Sequence, residues 1–273
     1  MIIAKKSLGQ NFLIDKNIIN KIVSTIEIKN NNIIEIGPGL GALTEKILEK
    51  KPNKLIIIEK DYKLYKKLVN KFNNKKVTII NEDALLYDYS KLKDFKLISN
   101  LPYNISSKFL IKIIKLNKNF TDLVCMIQKE LADKLDYKTK KMNKYKFISE
   151  YCGRYKILFN VSPNVFYPKP KVYSKVVKFV LKKENINSEK LNHFLNIFFI
   201  NKRKKIISNK NIDIKIDENI ANKRYEDLKY IEVLHIYKRF NFSICLFSIF
   251  FDYQICFNNI TNFINSLLNI LIY

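Results

Sequence analysis

Five short runs rich in β-branched and other apolar residues recur along the first half of the chain, at 33–36, 55–58, 77–80, 97–99 and 123–127, separated by stretches of helical periodicity. That alternation constrains the fold more than any other feature. A strand with one face in water alternates apolar and polar residues, whereas a strand apolar throughout is covered on both faces. Alternating with amphipathic helices, such strands imply a mostly parallel sheet with helices on each side. Helical spacing is clearest at positions 18, 19, 22, 23 and 26, behind Asp15 as a predicted N-cap, and at 64, 65, 68, 69 and 72. Two more β-like stretches, 156–161 and 175–181, are joined without a helix by the proline-marked segment SPNVFYPKPKVYS and predict a closing antiparallel pair. The expected class is α/β, doubly wound.

From about residue 184 to 240 the pattern turns wholly helical, with Leu191, Phe194, Leu195 and Phe198 on one predicted face and Leu228, Ile231 and Leu234 on another. The expected organisation is therefore a large domain over 1–181, a small all-helical domain over 182–240, and a tail over 241–273. The tail has one charged residue, Asp252, and many Phe, Ile and Leu. A membrane span needs about 20 predominantly apolar residues, and Gln254, Asn258, Asn259, Asn262, Asn265 and Asn269 interrupt the uncharged stretch. An extra packed helix and an extension without function are the other readings of the tail.

Fifty Lys and Arg against 25 Asp and Glu give a formal charge of +25, too one-sided for a typical small-metabolite enzyme and suited to a polyanion, nucleic acid first. Only four of the 50 are Arg, and Ile, Asn and Lys dominate, so part of the charge reflects drift toward AT-rich codons. The same drift makes the rare residues informative. Average usage would give about 19 Gly and about 14 Pro, against five and six here, nearly all in four short clusters. The four cysteines, Cys125, Cys152, Cys245 and Cys256, are scattered without a CxxC pair, which supports neither a zinc site nor a disulfide framework. The start, MIIAKKSLGQNF, lacks the apolar core of a signal peptide and the Ser/Arg bias of a transit segment. Secretion is not expected.

The first cluster is Glu35-Ile-Gly37-Pro38-Gly39-Leu-Gly41, after a predicted strand and opening a helix. Such glycines let the backbone turn sharply and approach a ligand, with helix amides facing it. Glu59, at the end of the next strand, is placed to take two ribose hydroxyls. Asp83, followed by Ala84, ends the third strand and is placed to accept from a cofactor adenine amino group. Asn100-Leu101-Pro102-Tyr103 ends the fourth. Ligands in these sheets bind outside the carboxyl ends of strands, so one pocket collects all four. A glycine turn alone also suits a dinucleotide enzyme or a purely structural bend, and any one of these acids alone reads as a solvated loop residue. Their common placement is what carries the argument.

Asn-Leu-Pro-Tyr discriminates. The amino nitrogen of adenine is a poor nucleophile because its lone pair is delocalised into the ring. The Asn100 oxygen and the Leu101 carbonyl, freed from the ladder by Pro102, can accept its two N–H bonds and aim the lone pair at a methyl donor. Tyr103 offers a stacking face for the base; a proline-capped strand end with a core Tyr is the plainer alternative. His193 and His235 stand isolated in helical segments and read as structural.

Taken together, KKSLGQNFLID (5–15), EIGPGLG, IIEKD (57–61), EDA, NLPYNISS (100–107), MIQKE (126–130), FYPKPKVYS (166–174) and INKRKKIISN (200–209) resemble the small-subunit ribosomal RNA adenine dimethyltransferases of the KsgA type, over roughly residues 5–240 and in order. The resemblance implies a Rossmann-like class I methyltransferase fold and S-adenosylmethionine as cofactor. It further implies dimethylation of two adjacent adenines near the 3′ end of small-subunit rRNA within a pre-ribosomal small subunit. By the same resemblance Asn11 and Leu13 close over the cofactor, Gly37, Gly39 and Gly41 form the turn at its amino-acid end, Glu59 holds its ribose, and Asp83 and Ala84 its adenine. Asn100 lies between cofactor and target base, and Phe166 stacks on the target adenine with Tyr103. The run Lys202-Arg203-Lys204-Lys205, read as a helix end, becomes a phosphate clamp. The implied protein is a monomer without metal or membrane, in the cytoplasm of a bacterial-type cell or inside an organelle, transferring methyl groups in line with loss of the proton to solvent. The chain departs from the pattern twice. A Tyr-Gly expected before the sixth strand is Tyr145-Lys146, and the tail after Phe240 is extra. A large-subunit adenine methyltransferase and a non-catalytic rRNA-binding assembly or transcription factor on the same fold are the alternatives.

Overall fold

The computed structural model describes residues 5, 8–200, 203–208 and 216–240; the tail from 241 and Lys202 of the basic run lie outside the described residues. Chain order begins with a two-residue strand, β1 (Phe12–Leu13), and helix α1 (Lys16–Val23). Asp15 caps α1 by accepting from the Ile18 amide at 2.9 Å, a contact worth about 1 kcal/mol, and the helix buries Ile19, Ile22 and Val23, as its spacing predicts. Strict alternation follows: β2 (Asn32–Ile36), α2 (Ala42–Glu49), β3 (Lys54–Ile58), α3 (Tyr62–Lys71), β4 (Val77–Ile80), β5 (Phe95–Asn100), α4 (Ser106–Ile113) and β6 (Phe120–Gln128). Helix α3 buries Leu64 and Leu68, with Phe72 just beyond it, whereas Val69 is 40% exposed because it lies about 100° round the helix from Leu68.

Two helices, α5 (Lys129–Leu135) and α6 (Lys144–Cys152), precede β7 (Gly153–Val161), the short β8 (Phe166–Tyr167) and β9 (Ser174–Leu181). The sheet has seven strands in the order β4-β3-β2-β5-β6-β9-β7. Pairs from β4 to β6 are parallel, while β9 runs antiparallel to both β6 and β7. The connection from β7 to β9 holds no α-helix, only a 3-10 turn at Pro163–Val165 and β8, and the two strands pair antiparallel as the sequence predicts. Ile33, Ile34, Leu55 and Ile57 of the central strands have no exposed surface, each contributing about 1.5–3 kcal/mol by burial. Strand β2 has β3 on one side and β5 on the other, so the chain reverses direction across the sheet between them. Such a switch point leaves a crevice at the carboxyl ends.

The described residues form two compact units, the first holding all of these elements and running to Ile186 apart from Lys141–Asn143, the second made of Lys141–Asn143 and the residues from Asn187 onward. In the second unit, Asn187 caps α7 (Ser188–Phe198), which buries Leu191, Phe194, Leu195 and Phe198 as expected. The other predicted face is corrected. Residues 230–240 are helical, and Val233, Ile236, Tyr237 and Phe240 form their buried stripe, while Ile231 is 63% exposed and Leu228 is buried just before the helix begins. Phe194 meets Phe198, Tyr237 and Phe240 at ring-centroid distances of 4.8, 5.0 and 5.4 Å. Nor is the unit wholly helical: beside α8 (Glu218–Ala221) its described residues include a β-bridge between Lys205 and Arg224. Among the described residues, no helix is long and apolar enough to cross a membrane.

Candidate active site

At the carboxyl end of β2 the chain turns through Gly37, Gly39 and Gly41 with φ of 59°, 60° and 80°, the left-handed region that favours glycine. A Cβ at Gly37 would stand 2.9 Å from the Pro102 ring, one at Gly39 2.8 Å from the Phe12 ring, and one at Gly41 2.6 Å from the Phe72 ring. The crowding that demands glycine thus comes from the protein's own side chains. Gly37 and Gly39 line a cleft bounded by the ends of β2 to β5 and by residues 8–13, with about 1000 Å³ of open space including its mouth. Gly41 is not among the lining residues. It caps α2 against Phe72, an architectural place beside the cleft and not in its lining, where the sequence reading expected it at the cofactor.

Strand ends deliver the acids. Glu59, 6% exposed, accepts from the Asp61 amide at 2.8 Å; burial raises its pKa, against hydrogen bonds from the amides of Asp61, Gly39 and Lys60. Glu35, whose position in the motif carried no role by sequence, is 1% exposed. Burial pushes its carboxyl up to about 8, opposed by the Thr44 hydroxyl at 2.6 Å and reinforced by Glu59. Asp83 accepts from Lys60 at 2.8 Å and from the Leu85 amide at 2.8 Å; the Lys60 bond, against partial burial, holds it below the usual carboxylate range. Ala84, beside it in the lining, is fixed by its carbonyl accepting from Tyr89 at 2.8 Å.

Residues 8–13 are tied across the opening. Asp61 takes the Lys5 ammonium at 2.8 Å and the Gln10 amide at 3.2 Å; burial works against its charge, but these bonds and the Lys63 amide keep its pKa low. Asn11 and Leu13 both line the cleft, and the Asn11 carbonyl accepts from the Asn100 side-chain nitrogen at 3.1 Å. That bond commits the Asn100 Nδ2 and leaves Oδ1 as the acceptor. The backbone of Leu101 leaves the ladder with its amide on the Met126 carbonyl at 3.2 Å. Ser106 donates to the Pro102 carbonyl at 2.8 Å and lies 3.5 Å from that of Leu101, so the Leu101 carbonyl keeps acceptor capacity. Two acceptors therefore sit at the end of β5. Half-buried Tyr103 is pinned by a short hydrogen bond between its hydroxyl and that of Ser174, which is fully buried at the start of β9; burial raises the phenol pKa against that bond. The last residue of FYPKPKVYS thereby locks the last residue of NLPY, a link sequence reading missed.

Three further expectations meet different surroundings. Phe166 is 3% exposed, packed in the hydrophobic core with Leu13 and Val176, and is not among the cleft-lining residues. The β1–β8 pairing sets it opposite Leu13 and Tyr167 opposite Phe12; side chains alternate faces along a strand, so Phe166 turns inward and Tyr167, 62% exposed, outward. Stacking by Phe166 on a base is not supported. Arg203, Lys204 and Lys205 are exposed, but α7 ends at Phe198 and they lie in a turn and the Lys205–Arg224 bridge, so they do not end a helix. Lys146, where a glycine was expected, is ordinary α6 backbone, and Tyr145 bonds the Ser107 hydroxyl at 3.1 Å.

The donor set fits one kind of cofactor. Lys60, already paired with Asp83, is the single cation among the lining residues, while Glu35 in β2 and Glu59 just after β3 put two carboxyls beside the turn. A pyrophosphate would find no cationic partner there. A nucleoside bearing a cationic sulfonium suits it. Sheet order, cleft and strand-end acids define an S-adenosylmethionine-dependent methyltransferase of class I. A family model described as ribosomal RNA adenine dimethylase matches residues 2–242, and the chain belongs to that family. The ribosomal RNA small subunit methyltransferase A of Malacoplasma penetrans is 45% identical over 214 residues, 76% of this chain and 77% of that one. Its namesake from Hydrogenobaculum is 38% identical over 243 residues, 87% and 93% of the two chains. Two crystal structures share the fold: a dimethyladenosine transferase from Plasmodium falciparum (TM-score 0.69, 24% identity, 84% of this chain and 97% of that one) and the 23S rRNA methyltransferase ErmE (TM-score 0.65, 19% identity, 85% and 100%).

Proposed function

We propose that this protein dimethylates the exocyclic amino groups of two adjacent adenines near the 3′ end of small-subunit rRNA, within a pre-ribosomal small subunit. The observation that carries the reading is Asn100. Its amide is oriented by the Asn11 carbonyl at 3.1 Å, and it opens on the same cleft as Glu59 and Asp83. Bound S-adenosylmethionine supplies an electrophilic methyl group. The protein's part is to hold and orient. Glu59 and Asp83 take the nucleoside, and residues 8–13, latched through Asp61, keep water from it. Asn100 Oδ1 and the Leu101 carbonyl accept the amino hydrogens and turn the adenine lone pair away from its ring, while Tyr103 supports the base. Neither acceptor can take up a proton at neutral pH, so the proton released after each transfer passes to solvent.

The first unit carries this chemistry as the methyltransferase domain, and the second contributes exposed cations, Arg203, Lys204 and Lys205, for rRNA phosphates. The enzyme acts as a monomer in the cytoplasm of a bacterial-type cell. The test incubates the protein with labelled cofactor and undermethylated small or large subunits, then maps the modified bases by mass spectrometry. Two adjacent dimethyladenines in small-subunit rRNA support the proposal; label confined to large-subunit rRNA, or no label with a folded, cofactor-binding protein, refutes it.

A further inference from the structure

Between β8 and β9 the chain reads Tyr167-Pro168-Lys169-Pro170-Lys171-Val172-Tyr173. Tyr167, Lys169, Lys171, Val172 and Tyr173 are exposed, the two tyrosines by 62% and 58%, with Pro168 and Pro170 partly buried between them. Here, among the described residues, neither tyrosine has a ring partner and neither lysine an ion pair. The segment holds no acidic residue, and two of the chain's six prolines stiffen it. Both ends are fastened to the cleft. Tyr167 pairs with Phe12, which lines the cleft and lies against Gly39. At the other end the Tyr173 carbonyl accepts from the Lys129 amide at 2.9 Å, and the next residue, Ser174, holds the hydroxyl of Tyr103.

We infer that residues 167–173 are a clamp for the unpaired RNA strand flanking the target adenine, a site that rests on the rRNA-adenine reading above. Phenol rings stack on the bases beside the target, and Lys169 and Lys171 contact the adjoining phosphates. Stacking on exposed rings requires bases that are not already paired, and an adenine whose amino group is modified must itself leave the stack. Two rings flanking a pair of cations suit such a strand better than a duplex, whose bases are covered, or an acidic peptide, which has no use for the rings.

The probe is a single-stranded oligoribonucleotide of the target loop with 2-aminopurine beside the target adenine. Tyr167→Ser/Tyr173→Ser should abolish the fluorescence quenching seen with the parent. It should weaken binding by tenfold or more and raise KM for undermethylated small subunits with kcat at saturation largely kept. Tyr167→Phe/Tyr173→Phe should restore all three. Lys169→Gln/Lys171→Gln should lower the log–log salt slope of binding by about 1.4, about 0.7 for each phosphate. Cofactor affinity, measured by calorimetry, should be unchanged in every variant. Parent-like quenching, KM and salt slope in folded variants would overturn the clamp while leaving the methylation reading intact. The binding arm needs no methyl transfer, so a parent that binds the oligonucleotide in this way but modifies no small-subunit adenine would overturn only that reading.

Discussion

Removing the Tyr103 hydroxyl should destabilise the protein nearly as much as removing both hydroxyls of the pair it forms with Ser174. Ser174 has no exposed surface, and its hydroxyl bonds the half-buried phenol. Tyr103→Phe strands a buried serine hydroxyl, a loss of about 1–3 kcal/mol. Ser174→Ala leaves the phenol free to turn toward the open cleft and should cost less, about 0.5–1.5 kcal/mol. With both changed, no polar group is left unpaired, and the double variant should fall within about 0.5 kcal/mol of Tyr103→Phe. The cycle thus yields a coupling on the order of 1 kcal/mol. Urea unfolding at constant m-value measures stability, and single-turnover methylation at saturating RNA and cofactor measures function. Each single change should slow transfer modestly, the double change no more than Tyr103→Phe, and Tyr103→Ala should nearly abolish it. Additive losses of stability would show that the two hydroxyls do not act as a pair, and parent-like transfer by Tyr103→Ala would remove the ring from the mechanism.

Glu59→Gln keeps an acceptor for the Asp61 amide but loses charge-assisted bonds to ribose hydroxyls worth about 1.5–3 kcal/mol each; calorimetry should show S-adenosylmethionine affinity falling tenfold or more, and an unchanged value sinks the assignment. Asn100→Asp replaces the donor to the Asn11 carbonyl with a second acceptor, so KM for the cofactor should rise while transfer at saturating cofactor survives in part; a loss confined to kcat would contradict the tether. Glu35 keeps its proton in the folded state up to about 8 but releases it near 4.5 when unfolded. The unfolded state then binds fewer protons, and stability falls as pH rises through that window, with a ceiling on the order of 5 kcal/mol. Glu35→Gln should flatten this, gaining on the parent between pH 5.5 and 8.5 in urea unfolding; a gap that does not change with pH disproves the buried acid.

The large unit was legible because a parallel sheet covered on both faces writes itself as apolar runs, and each run's end places the next functional residue. Glu59, Asp83 and Asn100 could be set at one crevice on that ground alone. Contacts made far from their partners in sequence were not. Strands β1 and β8 have two residues each, too few for a period, so nothing local shows that Phe166 turns inward or that Ser174 reaches Tyr103. In the second unit, short helical turns and a lone bridge give weaker signals than a long helix, and the stripe through Val233, Ile236, Tyr237 and Phe240 competes with an equally apolar false one through Leu228, Ile231 and Leu234. The basic run was misplaced because charge alone does not fix secondary structure.

The three glycines after β2 bear on how such chains decay. In a lineage whose codons have drifted away from glycine, their survival reads at first as a sign of preserved chemistry. Yet each has a left-handed backbone, and each would drive a methyl group into Pro102, Phe12 or Phe72. A descendant that had abandoned methyl transfer but still had to fold would be held to the same three residues. Asn100 and Glu59 are under a looser obligation: neither needs a left-handed backbone, and a glutamine at 59 would still accept from the Asp61 amide. A worn-down relative that keeps the glycines but has lost those two is a scaffold that outlived its reaction, and the glycines alone do not distinguish it from an enzyme.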